Sequence, residues 1–141
     1  MDSLIILRNA HLRATEHRIR TLELLLKANR PMSHVELLNA FGQCDRVTLY
    51  RILDAFVEAN ILHRILGSDG IWRFCAHTNL HHKCPGGHPH LMCESCGQMT
   101  CLVDIPIQHI DIDNIDPEFH ISHKQFLILG TCQNCYAKKH T

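Results

Sequence analysis

The sequence predicts an α+β fold in two parts: a helical N-terminal half closing in a β-hairpin, and a smaller α/β C-terminal half held by cysteines. Three observations predict it. Apolar residues recur at helical spacing behind three capping residues, Thr15, Ser33 and Asp45. Two β-rich runs, residues 61–66 and 71–74, then flank the turn Gly67-Ser68-Asp69-Gly70. Beyond residue 88, two CxxC pairs, Cys93/Cys96 and Cys132/Cys135, lie among strand-like segments. A chain of 141 residues holds one ordinary domain or two small ones, not a large enzyme core.

Residues 4–12 read as a short first helix. Thr15 caps a second, whose Ile19, Leu22, Leu25 and Leu26 share one face and which ends before Pro31. Ser33 and Glu36 have the spacing of a capping box, opening a third helix through Leu37, Leu38 and Phe41 to Gly42. Asp45 caps a fourth, residues 46–60. There Leu49, Ile52, Leu53 and Phe56 make the buried stripe. Val47, Arg51, Asp54 and Glu58 point outward, with Tyr50 beside them. Two short helices joined by a tight Gly turn, the second carrying basic and aromatic residues in its N-terminal half, have the layout of a helix-turn-helix. The hairpin behind them makes it a winged helix over residues 1–75, whose wing can touch DNA backbone or minor groove. A small helical bundle with a solvated charged face shares the periodicity, and the hairpin favours the winged helix over it.

Residues 76–87, with Pro85-Gly86-Gly87, read as a hinge. In residues 88–141, segments 89–93 and 99–103 look like strands either side of the Cys93–Gly97 knuckle. Residues 105–115 are ambiguous: Pro106 can open a helix with Ile107, Ile110 and Ile115 inward, yet the Asp/Ile alternation suits a strand. Residues 119–129 read as a strand, and Gly130 turns into the last CxxC. So small a half gains from both a metal staple and a dimer partner.

Each CxxC knuckle presents two thiolates from one turn, so Cys93, Cys96, Cys132 and Cys135 can complete a closed, structural four-cysteine zinc site. The alternative is two thioredoxin-like redox pairs. Against it, neither CxxC is expected to open a helix after a strand in a parallel α/β unit. A second donor set gathers about the hinge: His63 and Cys75 on the two hairpin strands, His88 and His90 alternating on one strand, and Cys101 past the knuckle. Four of these five suffice for tetrahedral zinc. His77, His81, His82, Cys84, His120 and His123 form a weaker third group, more simply read as surface or hinge residues.

Charge is balanced overall but not in place. Residues 1–74 hold ten Lys/Arg against eight Asp/Glu, and residues 75–141 hold four against six. That weak asymmetry allows a nucleic-acid role for the first half without demanding one. No apolar run reaches membrane-spanning length and the N-terminus lacks a signal-peptide layout, so the expectation is a cytoplasmic protein with reduced thiols and no membrane partner. A zinc hydrolase or deaminase needs an open zinc position beside a carboxylate base. Glu94 is the only glutamate near the donors, and neither HxE nor HExxH occurs among them, so no enzyme is expected. A metal-storage or thiol-redox protein remains as a reading outside regulation, but it leaves the winged half unexplained.

Four segments in order, Leu12–Arg18, Thr48–Arg51, His88–Gly97 and Leu129–Cys135, resemble the ferric uptake regulator (Fur) superfamily over nearly the whole chain. The resemblance implies dimeric, metal-dependent transcription regulators with an N-terminal winged helix, a hinge and a C-terminal α/β dimerisation domain. It implies that Thr48, Tyr50 and Arg51 on the fourth helix meet DNA, with Arg13 near the backbone. It also implies that the four CxxC cysteines hold structural zinc. Iron-sensing members resemble this chain less at the regulatory site: they carry carboxylates where Cys75 and Cys101 stand, and a histidine where Pro31 or Met32 stands. His63 followed by Cys75 resembles the zinc uptake regulator (Zur) branch, and softer ligands favour zinc over ferrous iron or manganese. At the family's third site, Gly86 and Pro89 occupy the positions of its His and Asp, leaving His81, His82, Cys84 and His123 as candidate donors. The expectation is a zinc-responsive repressor of zinc uptake genes on a pseudo-palindromic operator. The alternative in the family is an iron- or peroxide-sensing regulator.

Overall fold

In the computed structural model, residues 2–76, 88–102, 105, 114–122 and 124–140 are described. The chain divides into two compact units, Met1–Lys83 and Cys84–Thr141. Of the expected hinge, Ala76 belongs to the last strand of the first unit and residues 77–87 lie outside the described residues, as does the third donor group, His77, His81, His82, Cys84 and His123, apart from exposed His120. Among the described residues no helix is long and apolar enough to cross a membrane.

Local chemistry sets the helices of the first unit. The Asp2 carboxylate accepts from the Leu4 N–H at 2.9 Å and opens α1 (Ser3–Asn9), which stops three residues short of the expected end. Thr15 Oγ1 accepts from the Arg18 N–H and starts α2 (Glu16–Ala28), which Asn29 ends in the left-handed region at φ 50°. Met32–Ser33 then forms a two-residue strand, β1. Ser33 also completes the capping box with Glu36 that opens α3 (His34–Phe41). Gly42, at φ 88°, turns the chain as few other residues could. Asp45 caps α4 (Arg46–Glu58) through the Thr48 N–H at 2.8 Å and the Thr48 hydroxyl at 2.7 Å.

The wing is β2 (Leu62–Leu66) and β3 (Trp72–Ala76), antiparallel from Leu62↔Ala76 to Leu66↔Trp72. The sequence reading missed a third strand: β1 pairs with β3 at Met32↔Phe74 and Ser33↔Arg73, giving sheet order β1-β3-β2. Leu7, Leu22, Leu25, Leu37, Leu49, Leu53 and Phe56 are buried together with Ile61, Leu62 and Phe74 in one core. Packing of all four helices against that sheet supplies most of their stability, since helices this short are marginal alone.

The second unit holds β4 (His90–Cys93), β5 (Met99–Cys101) and β6 (Leu127–Gly130), in the order β5-β4-β6. β4 pairs antiparallel with β5 and parallel with β6. The expected strand over residues 119–129 is corrected here, for only its last three residues join β6. The ladder begins at His90↔Leu127, because β4 itself begins at His90 and offers nothing upstream to pair with. Asp116 instead turns the chain, accepting from the backbone of Phe119 and Glu118. Ile115, one of the residues expected to point inward, is 69% exposed.

The last CxxC corrects a second expectation. Cys132 is the N-cap of α5 (Gln133–Lys139), so this pair does open a helix directly after a strand of a parallel pair. The seven-residue helix was not legible as one. Lys138 and Lys139 in its last turn suit the negative helix end.

Candidate metal centres and nucleic-acid interface

Two tight turns build the first centre. The Gly97 N–H bonds the Cys93 carbonyl at 2.9 Å, with Gly97 at φ 77°, so the first knuckle folds back on itself. The Glu94 N–H bonds the Gly130 carbonyl at 2.8 Å and ties that knuckle to the end of β6. Cys132 and Cys135 follow on the first turn of α5. The four Sγ atoms of Cys93, Cys96, Cys132 and Cys135 lie within 4.8 Å of one another, and those of Cys96 and Cys132 are 3.9 Å apart. Among the described residues no cysteine is disulfide-bonded.

The Cys132 N–H points at Cys93 Sγ at 3.3 Å. That bond, with the N–H groups of its own knuckle, lowers the Cys93 thiol to about 6. Cys135 is pushed up to about 12, chiefly by its contact with the Cys132 sulfur. Without metal, negative charge therefore settles first on Cys93. A soft divalent ion has the right chemistry to share it among all four sulfurs. This compactness distinguishes the set from two separate redox pairs, even though one pair opens a helix.

The second donor set falls into two parts, each within its own unit. In the first unit, His63 and Cys75 face each other across the β2–β3 ladder. In the second, the β4–β5 ladder pairs His90 with Cys101. His88 Nε2 lies 2.7 Å from Cys101 Sγ, and His90 Nε2 lies 3.4 Å from it. The two imidazoles, both buried, stand 4.8 Å apart between ring centroids. Burial lowers the His88 pKa, favouring the neutral ring whose lone pair a metal needs. One sulfur and two nitrogens with no carboxylate among them form a borderline-soft set.

On the first unit, α4 presents a divided surface. Arg46 and Arg51 are exposed on its N-terminal half, Asp54 and Glu58 on its C-terminal half. Tyr50 is 39% exposed and its ring leans on His34 of α3, with centroids 5.0 Å apart. The Thr48 hydroxyl is committed to Asp45, whose carboxyl is held below its ordinary value by the Thr48 N–H first and that hydroxyl second. Arg13, in the link between α1 and α2, is exposed, and its carbonyl accepts from the Arg18 guanidinium at 3.1 Å.

The sequence reading missed three supporting contacts. One is the His34–Tyr50 pair. Another is Arg64 over the Trp72 ring at 4.6 Å. The third is the bidentate Asp69–Arg73 ion pair across the wing turn. Only the last had a local signal, an acid and a base four residues apart around a Gly turn.

A family model described as the ferric uptake regulator family matches residues 9–128. The chain is similar to the ferric uptake regulator of Vibrio cholerae. The two are 26% identical, the match covers 93% of this chain and 100% of that one, and the TM-score is 0.62. It shares its fold with a zinc uptake regulator solved with zinc and DNA, at 18% identity, 98% and 93% coverage and a TM-score of 0.71. It also shares its fold with the ferric uptake regulator from Pseudomonas aeruginosa solved with manganese, at 22% identity, 94% and 99% coverage and a TM-score of 0.61. With the winged helix, the paired CxxC knuckles and the family match in hand, the chain belongs to the ferric uptake regulator family of metal-responsive transcription regulators.

Proposed function

We propose that the chain is a zinc-responsive repressor, of the zinc uptake regulator kind, that acts in the cytoplasm as a homodimer on a pseudo-palindromic operator in double-stranded DNA and controls zinc uptake genes. The observation that carries the choice of metal is the His88, His90 and Cys101 group, with its imidazole and thiol donors gathered around one sulfur. Zinc accepts such donors readily, whereas ferrous iron and manganese favour oxygen. In this reading His63 and Cys75 of the first unit supply the remaining regulatory ligands, four of the five donors being used. Cys93, Cys96, Cys132 and Cys135 hold a separate structural zinc. His81, His82, Cys84 and His123 remain candidates for a third site.

Sharing one ion between donors of both units ties metal occupancy to domain geometry. That in turn sets the spacing of the two α4 helices of a dimer, and two half-sites can be met together. Moving such a dimer from about 1:99 to 99:1 in favour of the competent form takes about 5.5 kcal/mol of differential binding. Zinc held by folded thiolate and imidazole sites supplies about 10–16 kcal/mol, so the demand is modest. Support for the dimer comes from the second unit, where Phe119, Ile128 and Leu129 are exposed and β6 is at the edge of the sheet among the described residues. On the DNA side, Tyr50 and Arg51 reach bases or phosphates, Arg13 meets the backbone, and Thr48 shapes the start of the helix.

The test is a DNA-binding titration of the purified dimer against zinc, ferrous iron and manganese, with bound metal counted by equilibrium dialysis. Zinc should be the ion that restores binding. Cys75→Ser should leave a folded dimer whose DNA binding no longer answers to zinc. If ferrous iron or manganese restores binding instead, or peroxide abolishes it, the chain is an iron or peroxide sensor and the zinc reading fails.

A further inference from the structure

The DNA-binding face of α4 is narrower than the helix. Asp54 and Glu58 stand exposed on its C-terminal half and would oppose phosphates. The helix therefore engages DNA through residues 46–51, its N-terminal turn and a half. Within that window Leu49 is buried in the core and the Thr48 hydroxyl is bonded to Asp45. The outward side chains are Arg46, Val47, Tyr50 and Arg51. Spacings of three and four residues put Val47 beside Tyr50 and Arg51 on one face. Val47 is 58% exposed, more than Tyr50 itself.

Val47 has no donor and no acceptor. In the major groove every base edge is read by hydrogen bonds except one feature, the C5-methyl of thymine, which an aliphatic side chain recognises by contact. A branched apolar residue on the first turn of a recognition helix, flanked by two arginines that can hold phosphates or guanine edges, has that methyl as its only specific target. Tyr50, steadied against His34, closes the other side of the same small apolar surface.

We propose that Val47 reads a thymine methyl in each half-site and so fixes one base position of the operator. This rests on the DNA-binding reading above.

The zinc-loaded wild-type protein selects duplexes from a random pool. In the tightest one, each thymine is then replaced singly by uracil, which lacks only the methyl. In each half-site, replacement of one thymine should weaken wild-type binding about fourfold, the ratio for one methyl-sized group withdrawn from water at about 0.8 kcal/mol. Val47→Ser should bind the thymine duplex about fourfold more weakly and be indifferent to uracil at that position, whereas Val47→Ile keeps the discrimination. Because Val47 is exposed, both variants should retain the wild-type urea midpoint, followed by Trp72 fluorescence. The proposal is overturned if Val47→Ser loses as much as the wild type at every uracil, or if the wild type ignores all of them. A selected duplex without methyl coupling removes Val47 alone, while a pool that yields no duplex with zinc, ferrous iron or manganese removes the DNA-binding reading with it.

Discussion

Arg73 sits almost wholly buried in the wing. Its charge is tolerated there because Asp69 grips the guanidinium with both oxygens, at 3.0 and 2.8 Å. Gly67 makes room for that grip: a Cβ there would collide with the Arg73 guanidinium and the Asp69 carboxylate, and neither can swing away without breaking the pair. The same pair, with Arg73 bonding first, lowers the Asp69 pKa to about 2. A depressed carboxyl stabilises the fold above its unfolded value, near 3.9, and that contribution is lost as pH falls through about 2. Asp69→Asn should therefore cost about 1–3 kcal/mol at neutral pH. The gap from wild type should close between roughly pH 4 and pH 2. Urea melts followed by the fluorescence of Trp72, the single tryptophan and a residue of β3, measure this directly. A gap that stays constant down to pH 2 would show that the pair contributes no stability. At this scale the sequence was partly legible. Asp69 and Arg73 were visible as a turn acid and a strand base, but nothing in it showed that the arginine is buried.

The helices of the first unit were readable because their boundaries are set by near neighbours. Thr15, Ser33 and Asp45 each bond a backbone N–H three residues on, and that spacing is written in the chain. The stripe Leu49, Ile52, Leu53 and Phe56 was readable for the same reason, since period and burial coincide in a helix packed on one side. Phe56→Ala, at the centre of that stripe, should destabilise the first unit by about 3–5 kcal/mol. A Trp72-monitored midpoint unchanged from wild type would show that the stripe is not the core. Strands were less legible, because a strand is defined by its partner. Phe119 and Ile121 have β-forming side chains yet lie outside any strand, as the ladder of β4 starts only opposite Leu127. Two-residue β1 and seven-residue α5 carry too few residues for any period to show. The candidate metal ligands stood out better than the elements that carry them, since CxxC spacing survives whatever fold surrounds it. The pairing of His90 with Cys101 needed the β4–β5 register, which no local signal gives.

At the scale of the whole molecule the two units differ in what holds them. The first has a core of thirteen buried side chains drawn from four helices, three strands and the link before β2. In the second, the buried apolar residues among those described are Met92, Cys93 and Met99, beside the buried pair His88 and His90. In the proposed reading, an ion and a partner chain add to what packing supplies in so small a unit. Cys132→Ser should accordingly release the structural metal and unfold or dissociate the second unit, while the first keeps its Trp72 midpoint. Metal counting with sedimentation reads the outcome, and a metal-replete dimer with that change would rule out the structural assignment. The parallel pairing of β4 with β6 has a consequence for synthesis. A chain made from its N-terminus completes the winged unit and then presents Cys93 and Cys96 as half of the four-sulfur cluster, while Cys132 follows 36 residues behind Cys96. At about 5–20 residues per second that interval lasts roughly 2–7 s. During those seconds two thiols meet the cell without their partners, open to oxidants and to whichever soft ion arrives first.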